Sequence, residues 1–207
     1  MTVHAPRTVV HLMRHGEVHN PERILYGRLP GYRLSDRGAA QAEATAASFA
    51  DHDVAALYCS PLLRTRQTAE PVARVTGLEP VVVEDAIEAG NSFEGLHVKG
   101  VRSALWNPRY WWRLRRPWEP SWGERYGDIA DRLDRVIVRA RTEAEGREAV
   151  VVTHQLCVVA ASRRARGLPL AHNPADRQCD LASVTSLVFL GDQVIDVRYS
   201  EPARGIR

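Results

Sequence analysis

The sequence predicts an α/β fold: a three-layer α/β/α sandwich, its mostly parallel sheet covered by helices on both faces, with an antiparallel edge strand. Two observations predict it. Six strand-like apolar runs, at about residues 7–13, 54–59, 80–84, 148–153, 184–190 and 193–199, alternate with helix-like segments at about 35–50, 61–76, 124–145 and 155–166. Such alternation builds parallel sheets with helices on both sides. Gly191-Asp192 then separates the last two runs, a hairpin signal that turns the final strand back along the sheet edge.

The first run, Val9-Val10-His11-Leu12, leads directly into Arg14-His15-Gly16-Glu17. His15 is thereby set at the carboxyl end of a strand, where open α/β sheets bind ligands. The second run, Ala55 to Cys59, is followed by Ser60-Pro61. Ser60 is expected to cap a helix and Pro61 to begin it. Arg64 then lies one turn in, near the positive end, while Arg66 faces elsewhere. The run Ala149 to Thr153 ends at His154, again a histidine at a strand end.

A single domain over residues 1–207 is expected, with room for a sizeable core. Hydrophobic residues make up 44% and charged residues 26%, ordinary for a globular protein. The net charge of +3 is mild, and Lys99 is the only lysine. Cys59, Cys157 and Cys179 show no disulfide or metal-ligand spacing, and no cysteine or histidine pattern suggests a structural metal. Met1 to Arg7 lack a signal-like apolar core, and no run is long enough to span a membrane. A cytoplasmic location without membrane contact is expected.

One segment breaks the alternation. Trp106, Trp111, Trp112, Trp118 and Trp122 fall together, interleaved with Lys99, Arg102, Arg109, Arg113, Arg115 and Arg116 and interrupted by Pro108, Pro117 and Pro120. Residues about 97–122 read as an insertion. It is expected to form a cap over the strand ends. A subunit interface, which would make the protein a homodimer, a nucleic-acid surface, and a helical subdomain with its tryptophans packed inward are the other readings.

Four blocks in order resemble the histidine phosphatase superfamily, the phosphoglycerate-mutase-like enzymes. They are Arg14-His15-Gly16-Glu17, Leu34 to Ala42, Ser60 to Ala69 and Thr153-His154. Arg-His-Gly alone would be a weak signal; four ordered blocks at strand and helix ends make a strong one. The resemblance implies that His15 is a phosphoryl-accepting nucleophile. Arg14 and Arg64 would clamp the phosphate, and His154 would contact its oxygens. Gly16 would let the backbone approach the anion. Where the family has glycine after the second histidine, this chain has Gln155, whose side chain enters the pocket or points along the helix. Asn20 resembles a phosphate-binding asparagine displaced by one residue, with His19 as the alternative. The acid that protonates the leaving group is expected at Glu88, with Asp85 and Glu84 as alternatives. Glu17 serves the motif or only its loop.

The implied function is a metal-independent phosphomonoester hydrolase acting on a small phosphorylated metabolite, with no cofactor and no nucleic-acid partner. A phosphosugar mutase, using the same phosphohistidine, is the alternative. A nucleic-acid-binding module on an inactive fold is a third, opposed by the intact set Arg14, His15, Arg64 and His154.

Overall fold

The computed structural model describes residues 5–98, 100, 103–115 and 120–206. Lys99, Arg102, Arg116, Pro117 and Trp118 of the insertion lie outside the described residues.

Six strands form one sheet: β1 (Arg7–Arg14), β2 (Val54–Cys59), β3 (Val81–Val82), β4 (Glu148–Thr153), β5 (Val184–Leu190) and β6 (Gln193–Ser200), in the order β3-β2-β4-β1-β5-β6. The inner strands β1, β2 and β4 are buried almost throughout, because helices cover both faces. Val10, Leu12, Tyr58 and Val151 face α3 (Tyr126–Glu143) and α4 (Gln155–Ala165). Met13, Leu57, Val150 and Val152 face the other way, towards α1 (Asp36–Ala47) and α2 (Leu63–Thr76). The pleat alternation thus fills two separate cores from one set of strands.

β3, β2, β4 and β1 are parallel, and the 191–192 turn makes the expected hairpin. The strand that runs against the others is β5, which pairs antiparallel with both β1 and β6. The edge strand β6 is antiparallel to its neighbour, yet points the same way as the four parallel strands. Its alternating exposure is that of a strand with one open face.

The helix after β2 starts later than Ser60-Pro61 suggests. It begins at Leu63, with Leu62 as the residue before it. Ser60 Oγ is turned instead towards His154. Arg64 is therefore the second helical residue, closer to the positive end than expected. Ser35 caps α1 in the ordinary way, accepting from the Gly38 N–H at 3.0 Å.

The insertion leaves and returns through an antiparallel bridge between Asn91 and Gly123, so its base lies outside the 97–122 window. Two short 3₁₀ turns, Ala104–Trp106 and Pro108–Leu114, carry its aromatic residues outward. Trp106 is 75% exposed, and Trp111 and Trp112 each 58%. Among the described residues, no helix is long and apolar enough to cross a membrane. The three cysteines are free and buried.

Candidate active site

The strand order decides the site. β1 lies beside β4, and β4 beside β2. Their carboxyl ends therefore deliver Arg14-His15, His154 and the Ser60–Arg64 turn to one place. The His15 and His154 rings are 5.2 Å apart, centroid to centroid.

His15 is fully enclosed. Its Nδ1 lies 2.8 Å from the Gly16 carbonyl, which can only accept. Nδ1 therefore carries the proton, and Nε2 is left with its lone pair. Burial, followed by the charges of Arg64 and Arg14, holds the imidazole well below its ordinary pKa. It is neutral at pH 7.

His154 is fixed from both sides. Arg64 Nη2 donates to Nδ1 at 3.2 Å, so Nε2–H donates to Ser60 Oγ at 2.8 Å. Burial, the neighbouring His15 and Arg64 also push it well below the ordinary range. Histidines held neutral in the fold must charge on unfolding in acid. Stability from this source is complete above pH 6.5 and is lost as pH falls below it, because the unfolded chain then binds protons the folded one excludes. Each histidine should contribute a slope of about 1.4 kcal/mol per pH unit. Denaturant melts between pH 7 and pH 5 check this, and His15→Ala should flatten the slope.

The arginines are the telling groups. Arg64 is only 1% exposed. It donates to the Gly27 carbonyl at 2.8 Å and lies 4.9 Å over the Tyr26 ring. Arg14 Nη1 donates to the Cys179 carbonyl at 2.6 Å. Yet Nε of both arginines is buried with no hydrogen-bond partner among the described residues. Buried guanidinium N–H groups are costly to leave unpaired. Two of them beside a neutral imidazole describe a place made for an anion.

Glu88 stands over the same spot, its Oε2 3.9 Å from His154 Nδ1. Burial raises its carboxyl pKa, against the bond from the Ala89 N–H and the nearby arginines. Asp85 is bound through both oxygens to Arg135 and is held below the ordinary range by that bond. It is spent on the surface, and Glu84 is exposed beside it.

A cavity of about 880 Å³ opens in front of these groups. Arg14, His15, Asn20, Glu88 and Gln155 all line it. Asn20 also closes its own loop, exchanging bonds with the Ile24 main chain at 2.9 and 3.3 Å. Gln155 Nε2 reaches the Cys179 carbonyl that Arg14 also holds. His19 is exposed and outside the lining. Glu17 pairs with Arg37 and accepts from Ser35, so it ties the loop to α1. Arg66 is exposed, as its position on the helix predicts.

Gly16 meets a packing requirement besides the role expected of it. A Cβ there would meet the Gly38 carbonyl oxygen at 2.4 Å, and a Cβ on Gly38 would meet the Glu17 oxygen at 2.0 Å. The two glycines let the loop after β1 lie directly on α1, main chain against main chain. The glycine is required for packing against the helix.

Several residues of the site carry no signal in the sequence. Arg132 and Arg28 both clasp Glu124, and they donate to the carbonyls of Asp85 and Glu88 respectively. They brace the segment that carries Glu88. His97 and Arg177 line the cavity from the insertion and from the loop before β5. Arg109 is exposed, and Arg113 is stacked on Phe93, Tyr110 and Trp112 while bonded to the Ser92 carbonyl. Neither lines the cavity.

Residues 10–201 match the model of the histidine phosphatase superfamily, branch 1. The chain belongs to that superfamily. It is 50% identical over 196 residues to an uncharacterized protein of Mycobacterium tuberculosis, Rv0525, covering 95% of this chain and 97% of that one. Among solved structures, it is similar to Bacillus stearothermophilus YhfR, with a TM-score of 0.75 and 25% identity, covering 90% of this chain and 94% of that one. It is also similar to the mycobacterial glucosyl-3-phosphoglycerate phosphatase Rv2419c, with a TM-score of 0.71 and 28% identity, covering 95% and 98% of the two chains.

Proposed function

We propose that this chain is a metal-independent phosphomonoester hydrolase acting on a small phosphorylated metabolite through a phosphohistidine at His15. One observation carries the proposal: a neutral, tautomer-fixed imidazole flanked by two buried guanidinium groups whose Nε–H donors lack partners. Nε2 attacks phosphorus in line with the departing oxygen. Arg14 and Arg64 hold the equatorial oxygens, where fixed positive charge is worth most. Glu88, whose carboxyl pKa burial raises, gives its proton to the leaving oxygen. The resulting carboxylate then takes a proton from the water that attacks the phosphohistidine. His154 sets the angle of Arg64. For His154 to contact the phosphoryl oxygens, Arg64 must release Nδ1 on anion binding and the ring must take the other tautomer, with Nδ1–H donating to the anion and Nε2 accepting from the Ser60 hydroxyl. Asn20 and Gln155 complete the lining. The insertion, with His97 and Val98 at the cavity wall, acts as a cap that receives the organic part of the substrate. The likeness to a glucosyl-3-phosphoglycerate phosphatase favours hydrolysis over phosphoryl transfer between positions of one substrate.

The test is a panel of phosphomonoesters in excess chelator, reading free phosphate and isomerised product together. Full activity with free phosphate as product is expected. Loss of activity restored by a divalent ion would overturn metal independence, and a dominant isomerised product would make the enzyme a mutase.

Glu88→Gln should lower kcat on alkyl phosphates by about 10²–10⁴-fold, and on a nitrophenyl phosphate by less than about tenfold. An alkoxide needs its proton in the transition state; a nitrophenolate does not. In the wild type, alkyl-ester activity should fall as pH rises through the elevated Glu88 pKa. The acid side should hold until well below pH 6.5, since His15 charges only there. Equal losses on both substrates would remove Glu88 from the role.

A further inference from the structure

His11, His52 and Glu148 are remote from one another in sequence, and none belongs to the phosphate site. His11 is inside β1, His52 lies in the loop before β2, and Glu148 opens β4. His11 Nε2 is 2.9 Å from Glu148 Oε2, and His52 Nδ1 is 2.5 Å from the same oxygen. All three ligand atoms lie within 4.8 Å of one another. From this convergence we propose that the three residues form a structural site for a divalent transition metal of the zinc type.

The donor set suits that ion class. Two imidazoles and one carboxylate favour zinc and its neighbours, whereas calcium and magnesium require a shell of oxygens. Ligand atoms around tetrahedral zinc sit about 3.4 Å apart, given bonds of about 2.0–2.2 Å. The two nitrogen–oxygen separations here need to open by less than about 1 Å to reach that spacing. The surroundings already orient the ligands. His11 Nδ1 lies 2.8 Å from Ser186 Oγ, a partner that fixes the ring with Nε2 facing the other two groups. The Phe49 ring packs edge-on against both imidazoles, at 5.3 and 5.6 Å. The Glu148 N–H donates to the Asp53 carbonyl at 3.1 Å, and Arg147 pairs with the Asp53 side chain. The loop carrying His52 is thus held to β4 by contacts independent of the cluster. His11 and Glu148 are shielded while the His52 side chain is 39% exposed, so the cluster opens on that side to an arriving ion and to a water as fourth ligand.

The site is structural because of where it lies. His11 precedes His15 by four residues, about 13 Å along the strand. None of the three residues lines the substrate cavity. A metal here would join β1, β4 and the connection from α1, acting as a staple at the opposite end of the sheet from the phosphate groups.

The full-length protein, first stripped with chelator, is titrated with Co²⁺, whose visible absorption is intense in four- or five-coordinate sites, and then with competing Zn²⁺. One equivalent of Co²⁺ should give the band, and Zn²⁺ should erase it. Zn²⁺ at a hundredfold excess over its Kd should raise the Tm by about 5–10 °C. His52→Ala, a half-exposed loop change, should lose the band and the Tm shift while keeping phosphomonoesterase activity at 25 °C within about twofold. Glu148→Gln should also lose the band, and His15→Ala should keep it. No band in the wild type, a band that survives His52→Ala, or one lost in His15→Ala would each overturn the assignment. In the first case, the cluster is a hydrogen-bonded triad only.

Discussion

Replacing His15 with alanine should lower kcat by about four to six orders of magnitude, the scale seen when a covalent nucleophile is removed from a site whose other parts remain. The reason is local. Among the described residues, no other imidazole nitrogen combines a free lone pair with the two partnerless guanidinium donors; His154 has both nitrogens engaged. Arg14 and Arg64 would still bind phosphate, so affinity for inorganic phosphate should survive in the mutant. The melting temperature at pH 7 should stay within a few degrees, because the ring makes one hydrogen bond and borders a cavity. Intact-mass measurement after a quench that avoids acid should find one added phosphoryl group on the wild type and none on His15→Ala. Near-normal turnover by the mutant would sink the assignment.

The second large effect is expected at Arg64. Arg64→Lys keeps a charge but loses the planar fork that serves Gly27, His154 and the anion together. Arg64→Met keeps the bulk and removes the charge. Both should cut kcat by about 10²–10³-fold. The pH profiles should then separate them. Arg64 is the largest charge depressing the His15 pKa, so its removal in Arg64→Met should move the acid limb upward, while Arg64→Lys should leave it nearly in place. Identical acid limbs in the two variants would show that the guanidinium acts by shape alone.

The inner strands and the helices were legible because their apolar runs are long and their ends carry punctuation. β4 and β5 begin and end where the apolar runs do. α2 was misjudged at its start, because Ser60-Pro61 looks like a cap while Ser60 is occupied by a histidine from another strand. The direction of β5 was hidden for a similar reason: a hairpin signal tells that two strands oppose, not which of them opposes the sheet. His15, Arg64 and His154 could be read from their places at strand and helix ends. Their supporting residues could not. Arg28 meets Glu124 across 96 positions of chain, with Arg132 joining them from α3, and Arg177 sits in a loop without pattern. The Gly16–Gly38 contact is equally silent, since a glycine after a strand looks the same whether an anion or a helix backbone approaches it.

The neighbouring of β2, β4 and β1 has a consequence for how this protein acquires its activity. The three strand ends that meet at the candidate active site are separated by 49 residues between His15 and Arg64 and by 90 between Arg64 and His154. β4 is the wedge between the other two, and it enters last in chain order. Pairings of this range are slow to close, because the loop entropy is lost before the contacts form. A nascent chain that has made β1, α1, β2 and α2 possesses His15, Arg14 and Arg64 but has nothing to align them. Catalytic competence should therefore arrive late and all at once during refolding, together with insertion of β4, rather than growing with helix content.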